Sequence, residues 1–245
     1  MLWKLFLPCA AVLLPQQVFA QAAIPILNAI QGSAGETEYS VTLQLLGLMT
    51  VLTLLPSILL MMTSFTRIII VLGLLRQAMG TAQTPPNQIL LGIALFLTIF
   101  IMAPVFTEIY DSAFKPYSED EISLSSAIDQ AQIPMKNFML RQTRQRDLET
   151  FVGISGNPDI ATPIETPLTV LVPAFITSEL KSAFTIGFML YIPFVIIDMV
   201  VASVLMSMGM MMLSPMMISL PFKLLLFVMV DGWSLLMTSL TGSYV

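Results

Sequence analysis

The sequence contains no histidine and only one cysteine, Cys9. Without these residue types the chain cannot use cysteine–histidine nucleophile chemistry, histidine base catalysis or most kinds of zinc site. Carboxylates and lysines remain as reactive side chains, but no nucleophile–base pair is visible among them. We therefore predict that the chain is not an enzyme and needs neither a metal nor a cofactor.

Charged residues are scarce, at 10% of the chain, whereas hydrophobic residues make up 56% and the mean hydropathy is +0.88. A soluble domain has about a quarter of its residues charged. The composition thus predicts an integral membrane protein in contact with lipid, or one buried in a membrane-associated assembly. The net charge of −5 argues against nucleic acid as a partner, because no basic patch is available to neutralise phosphates.

The first twenty residues have the pattern of a secretory signal peptide. Lys4 supplies the positive start, and the apolar run from Leu5 to Leu14 is too short to cross a bilayer. Small residues end the segment, so we predict cleavage between Ala20 and Gln21. Residues 21–40 are small and polar and are expected to form a flexible leader.

Long apolar stretches follow on both sides of a polar segment. They predict an all-α fold with a first hydrophobic helical hairpin over 41–107 and a second over 167–245, which contains a methionine-rich turn. Between them, residues 108–165 hold ten acidic and five basic residues. We interpret 108–166 as a small helical insertion, with helices starting at Ser118 and Pro134.

Arg67 and Arg76 are the only charged residues between the first two hydrophobic helices. The positive-inside rule therefore predicts that this connection is cytoplasmic. With a cleaved signal peptide and four spanning helices, the 108–166 insertion would then be extracytoplasmic.

Several charged residues lie in or beside the apolar helices, where a charge at the bilayer centre costs about 3 kcal/mol or more. They are Glu179, Lys181, Asp198, Lys223 and Asp231. They could reach water at helix ends, pair with each other inside a helical assembly, or form a proton relay. Two acids near one lysine favour pairing, so we expect Lys223 to pair with Glu179 or Asp198, within a subunit or across a subunit contact.

The predicted helices also contain prolines, which kink a helix and leave carbonyl groups that need other partners in lipid. Glycines in the same helices allow close helix approach. Kinked hairpins packed on neighbouring helices satisfy both features, which indicates an oligomer. The prolines are at positions 56, 104, 173, 193, 215 and 221.

Methionines cluster around Gly209, with Met206, Met208, Met210, Met211 and Met212 beside it and Met216 and Met217 after Pro215. Methionine fills irregular gaps, so the cluster could be simple packing. Thioethers at Met-x-Met spacing could instead bind copper(I). A third interpretation is a flexible seal around a pore, and composition does not choose among the three.

Long and unusual strings in the chain resemble the type III secretion export-gate family. They are Phe65-Thr-Arg-Ile-Ile-Ile-Val-Leu-Gly-Leu-Leu-Arg-Gln-Ala-Met-Gly80, Pro85-Pro-Asn-Gln-Ile-Leu-Leu-Gly92, Val172-Pro-Ala-Phe-Ile-Thr-Ser-Glu-Leu-Lys-Ser-Ala-Phe184, and the stretch from Ile197 to Trp233. The signal peptide and the insertion resemble the flagellar branch of the family more than the injectisome branch.

The resemblance implies a subunit of a membrane conduit for unfolded flagellar proteins. Family members form a ring of several copies, completed by FliQ and FliR, beside other export-apparatus membrane proteins in the inner membrane of the flagellar basal body. The resemblance further implies that much of the complex is raised out of the membrane. It implies that a methionine loop, carried here by Met210, Met211 and Met212, narrows the pore as a gasket.

An alternative function uses the same residues differently. A small-solute or copper transporter could employ the methionines from Met206 to Met212 together with the charges in the apolar helices. The size of the transported cargo separates the two hypotheses.

Overall fold

A computed structural model describes residues 37–81, 83–156, 163–210 and 212–244, with side chains from residue 45 onward. Within these ranges the chain is all-helical, as predicted. The predicted signal peptide, its cleavage site at Ala20 and Gln21, and the leader up to residue 36 lie outside the described residues. The chain divides into two compact units between Leu54 and Leu55, and every contact discussed below lies in the second unit.

The α-helices of the described residues are α1 (Thr37–Met61), α2 (Phe65–Ala78), α3 (Asn87–Ile109), α4 (Lys115–Ser118), α5 (Leu124–Gln142), α6 (Gln145–Ser155), α7 (Leu168–Ser207), α8 (Pro215–Met229) and α9 (Gly232–Gly242). A π-helical turn, Tyr110–Phe114, joins α3 to α4, and a 3-10 turn, Pro163–Glu165, precedes α7.

Two helical stretches, Asn87–Ser118 and Leu168–Ser207, are long and apolar enough to cross a membrane. Two bent pairs, α1 with α2 and α8 with α9, would raise the number to four if each pair formed one span. Only 11% of the most apolar window of α7 is buried within the described chain. Most of this helix therefore needs lipid or another protein chain to cover it.

The start of the segment between the two predicted hairpins continues the helix α3, although its sequence suggests a separate insertion. The π turn lies just before Pro116, which is the second residue of α4. Proline does not fit a regular helix at this point, because it has no N–H to donate to the backbone and its ring clashes with the preceding turn. No helix starts at Ser118, where α4 ends. The next helix begins at Leu124, after Ser123 accepts a hydrogen bond from the Ser126 amide at 3.3 Å.

Pro134 lies inside α5 rather than at the start of a new helix, and Pro173 and Pro193 lie inside α7 without interrupting it. The expected helix start at Pro134 is therefore wrong, whereas α7 continues through Pro173 and Pro193. Each proline removes one backbone hydrogen bond, but packing of α5 and α7 on their neighbours maintains the helix across that gap.

The last apolar stretch, which begins at Pro215, is not one continuous helix. α8 ends at Met229, Asp231 adopts a left-handed conformation with φ of 50°, and α9 begins at Gly232 with a 65° bend. A Cβ at Gly232 would lie 2.3 Å from Phe227 Cε2, so only glycine permits this corner. The Asp-Gly pair, a common turn signature, was the signal for the break.

The centre of the second unit is the contact between α2 and α7. Ile68, Val71, Leu72 and Leu75 of α2 are fully buried in a core that also includes Ala183 of α7. Gly187 forms a notch for α2, because a Cβ there would lie 2.3 Å from Leu74 Cδ1 and 3.2 Å from Leu74 Cβ. This notch brings the two helices into close contact.

The notch gives a prediction that compares two glycines. Alanine at either position gains helix propensity, but only Gly187→Ala adds a methyl group against Leu74, whereas Gly73→Ala meets nothing within 4 Å. We expect Gly187→Ala to be less stable than Gly73→Ala by about 1–3 kcal/mol, measured by thermal unfolding in detergent. Adding Leu74→Ala to Gly187→Ala should relieve most of the overlap, since only the 3.2 Å contact with the Leu74 Cβ remains. Equal stability of the two single variants would contradict the close approach.

Candidate functional site: two buried charge clusters and a methionine loop

Two clusters of polar side chains, each built around buried residues and completed by partly buried ones, lie at opposite ends of α2. The Arg67 cluster, at the start of α2, consists of Arg67, Gln142, Glu179, Ser243 and Tyr244. The Lys223 cluster, at the end of α2, consists of Asp198, Ser219 and Lys223. In each cluster the acidic residue belongs to α7, so α2 is fixed to α7 at both ends.

The Arg67 cluster contains a buried bidentate ion pair. The Arg67 Nε atom donates to Glu179 Oε2 at 2.9 Å, and Arg67 Nη2 donates to Glu179 Oε1. Arg67 is only 3% exposed and Glu179 is fully buried. A charge removed this far from water is tolerated when its partner and all its hydrogen bonds are in place.

The remaining donors of Arg67 are also satisfied. The Arg67 Nη1 atom donates to the carbonyl oxygen of Ser243 at 3.0 Å and to its hydroxyl at 2.9 Å. The Arg67 Nη2 atom donates to Gln142 Oε1 at 3.1 Å. One guanidinium therefore connects α2 with α5, α7 and the residues that follow α9.

Tyr244 covers the ion pair. Its ring lies over the guanidinium, with the Arg67 Cζ atom 3.8 Å from the ring centroid, and its other side stacks on Phe138. Its hydroxyl donates to Glu179 Oε2 at 2.7 Å, with the carbonyl oxygen of Ser64 3.2 Å away. Burial, together with the adjacent Glu179 carboxylate, raises the pKa of the Tyr244 phenol well above its ordinary value of 10.0, so it remains a hydrogen-bond donor.

The Lys223 cluster holds the other end of α2. The Lys223 Nζ atom donates to Asp198 Oδ2 at 2.6 Å and to the carbonyl oxygen of Ala78, the last residue of α2, at 3.2 Å. An ammonium group in this position also complements the partial negative charge of a helix C-terminus. Ser219 donates to the second carboxylate oxygen of Asp198 at 2.5 Å.

The two ion pairs differ in their access to water. Lys223 is 2% exposed, but the side chain of Asp198 is 32% exposed, whereas Glu179 is fully buried. Loss of Lys223 would therefore leave a carboxylate that can still be hydrated. Loss of Arg67 would leave one that cannot.

Of the two acids considered for Lys223, the structure places Asp198 beside it and Glu179 on Arg67. The sequence interpretation used Arg67 only as a topological signal and missed its role as the partner of Glu179. Since Arg67 is buried in a helix, it is not a charge exposed in a cytoplasmic connection. An arginine within an apolar run was the signal in the sequence that Arg67 needs a partner. The partner could not be identified from the sequence, because Arg67 and Glu179 are 112 positions apart and only the fold brings them together.

The methionine loop, residues 208–214, connects α7 to α8. Gly209 adopts φ of 74° after the end of α7, and the amide of Met210 donates to the carbonyl of Leu205 at 3.0 Å, which closes the helix end. Met210 is 42% exposed and Met212 is fully exposed, while Met211 lies outside the described residues. Methionines that flank the loop are also exposed, namely Met206, Met216 and Met217.

The base of the methionine loop lies beside the Lys223 cluster. A Cβ at Gly80, which follows α2, would lie 3.7 Å from Lys223 Nζ and 3.8 Å from Met216 Cγ. The end of α2, the lysine and the first turn of α8 therefore meet at one point. In the described residues no group of three or more histidine, cysteine, aspartate or glutamate side chains could hold a metal ion.

Comparison with known proteins shows which family this chain resembles. The model of the FliP family matches residues 48–240. A flagellar biosynthetic protein FliP from Pectobacterium carotovorum subsp. carotovorum is 58% identical over 210 residues, which are 86% of this chain and 81% of that protein. The protein of the same name from Bacillus subtilis is 54% identical over 215 residues, which are 88% of this chain and 97% of that protein.

Because Glu179 is fully buried and Asp198 is partly exposed, removing the cation of each ion pair should change the stability of the protein by different amounts. We expect Arg67→Ala to lower the free energy of unfolding by about 3–5 kcal/mol, because Glu179 is left buried without a partner. Lys223→Ala should cost less, because Asp198 reaches water. Thermal unfolding of the purified protein in detergent measures both.

A control and a rescue variant make this comparison specific. Lys181→Ala removes an exposed cation two residues from Glu179 and should change stability little. Glu179→Gln, added to Arg67→Ala, removes the unpaired charge and should restore part of the loss. An Arg67→Ala variant as stable as Lys181→Ala would be inconsistent with the buried pair.

Proposed function

Because this chain belongs to the FliP family, we propose that it is a pore-forming core subunit of the flagellar type III protein export gate. In this role several copies surround a conduit through which unfolded flagellar subunits leave the cytoplasm. The relatives' name as flagellar biosynthetic proteins supports the flagellar assignment. The observation that carries the pore assignment is the exposed methionine loop.

A soluble monomer rarely exposes a contiguous apolar patch of large side chains, and such a patch marks a contact surface. The methionine loop has this character and lies at the end of the long apolar helix α7. Unbranched thioether side chains are soft and adaptable. Met210, Met211 and Met212 from several copies could therefore close a pore against ions and still deform around a passing polypeptide.

The oligomer that we propose is a ring of several copies, completed by FliQ and FliR. The uncovered apolar side chains of α7, among them Phe184, Phe188 and Ile196, support extensive contacts with other chains or lipid. Other membrane proteins of the export apparatus would supply motive force and cargo selection. We place the complex in the inner membrane at the flagellar basal body, with residues 108–166 on the extracytoplasmic side.

The buried charge pairs have a structural role in this proposal. Glu179 with Arg67, and Asp198 with Lys223, fix α2 to α7, and the second pair lies at the base of the methionine loop. They hold the loop in place without taking part in chemistry, so no enzymatic step is required. Membership of the FliP family does not favour the alternative of a small-solute or copper transporter.

Removal of the thioether side chains tests the seal. We expect the variant with Met210, Met211 and Met212 all changed to alanine to let small ions pass through the resting complex, because the gasket loses its volume. Ion conductance of reconstituted complexes in planar bilayers measures the leak. The same substitutions should not prevent assembly, which is checked by native mass spectrometry.

A matched control is available in methionines outside the loop. Met189, Met199 and Met229 are each more than half exposed on α7 and α8, and their replacement by alanine should leave the resting complex ion-tight. An ion-tight complex of the loop variant would count against the gasket. Copper binding that disappears with the loop methionines would favour the transporter alternative.

A further inference from the structure

The helix α9 joins α8 at a break in the helical backbone. The amides of Val230 and Asp231 still donate to carbonyl groups of α8, whereas Leu235 donates to the Asp231 carbonyl at the start of α9, and Asp231 between the two helices adopts a left-handed conformation. The direction of α9 is therefore set by what its side chains and its far end contact, and not by continuity with α8. Leu236 and Leu240 anchor one face of α9 in the core.

The far end of α9 is held by the Arg67 cluster. Ser243 accepts two hydrogen bonds from Arg67 Nη1, and Tyr244 covers the guanidinium and donates to Glu179. We call these two residues the tail. Glu179, which the tail contacts, and the methionine loop are about 40 Å apart along α7, at a helical rise of about 1.5 Å per residue.

Gln142, the last residue of α5, contacts both Arg67 and the tail. Its Oε1 atom accepts from Arg67 Nη2 at 3.1 Å, and its Nε2 atom donates to the carbonyl of Tyr244 at 3.4 Å. Two residues later, the amide of Arg144 donates to the Ser178 hydroxyl at 3.0 Å, and that hydroxyl donates to Asp147 of α6 at 2.7 Å. The junction of α5 and α6 is thus attached to α7 beside Glu179.

We propose that Gln142 and the tail form a releasable latch through which the α5–α6 segment sets the position of α9. Displacement of the α5–α6 junction removes Gln142 from Arg67 and from the tail together. The tail then loses part of its attachment, and α9 opens more readily about the break at Asp231, with Leu236 and Leu240 as its remaining anchors. The latch belongs to the folded chain itself, whether or not the chain conducts protein.

Hydrogen exchange of the full chain in detergent, read by mass spectrometry, tests the latch without an export assay. In Tyr244→Ala we expect the amides of α9 to exchange roughly tenfold faster, with those of α3 unchanged, because only α9 opens locally. Gln142→Ala should also accelerate exchange in α9, although Gln142 lies in α5. An effect of a substitution in α5 on exchange in α9, through the bond from Gln142 to the Tyr244 carbonyl, is what the latch requires.

Two further variants complete the test. Gln130→Ala, a second glutamine of α5 about three turns away, and Thr238→Ala, whose hydroxyl bonds only within α9, should leave exchange in α9 unchanged. The double variant Gln142→Ala with Tyr244→Ala should exchange faster than Tyr244→Ala alone, because the Tyr244 carbonyl that Gln142 contacts remains in that variant, but by less than the product of the two single effects, because both substitutions weaken the same latch. A wild-type exchange rate of α9 in Gln142→Ala overturns the proposal, as does simple additivity in the double variant.

If Tyr244→Ala unfolds the whole chain, exchange in α3 will rise as well, and Tyr244→Phe decides instead. This variant keeps the ring over Arg67 and its stacking on Phe138 but loses the hydrogen bond to Glu179. Faster exchange confined to α9 supports the latch. Equal changes in α3 and α9, or no change in either, overturn it.

Discussion

The attachment of α2 to α7 at both ends is the constraint on which the rest of the second unit depends. A short apolar helix could slide along a longer one, because dispersion contacts between aliphatic side chains have little directional preference. Two charged side chains prevent this. Arg67 fixes the start of α2 to Glu179, Lys223 fixes its end to Asp198, and Gly187 accommodates Leu74 between them.

These attachments also connect parts of the chain that are distant in sequence. The Arg67 cluster brings together α2, α5, α7 and the tail, whereas the Lys223 cluster brings together α2, α7 and α8. The first lies far from the methionine loop and the second lies at its base. The continuous helix α7 therefore links the segment containing α5 and α6 to the loop that we propose seals the pore.

The sequence predicted the helical class and the presence of helices long and apolar enough to cross a membrane, because these depend on composition and on local order. It also narrowed the partner of Lys223 to two acids. It could not predict the pairing of Arg67 with Glu179, since that depends on the packing of α2 against α7. Pro134, Pro173 and Pro193 were poor guides to helix boundaries, because packing of the flanking turns outweighs the loss of one hydrogen bond.

We propose that the two ion pairs present the methionine loop to the axis of a protein-conducting ring. Cryo-electron microscopy of the complex purified in mild detergent, at a resolution that shows side chains, reveals where the loops lie. We expect several copies around one axis, with their methionine loops forming the narrowest point and Lys223 on Asp198 at the base of each loop. A ring whose methionine loops face lipid on its outer surface would contradict it.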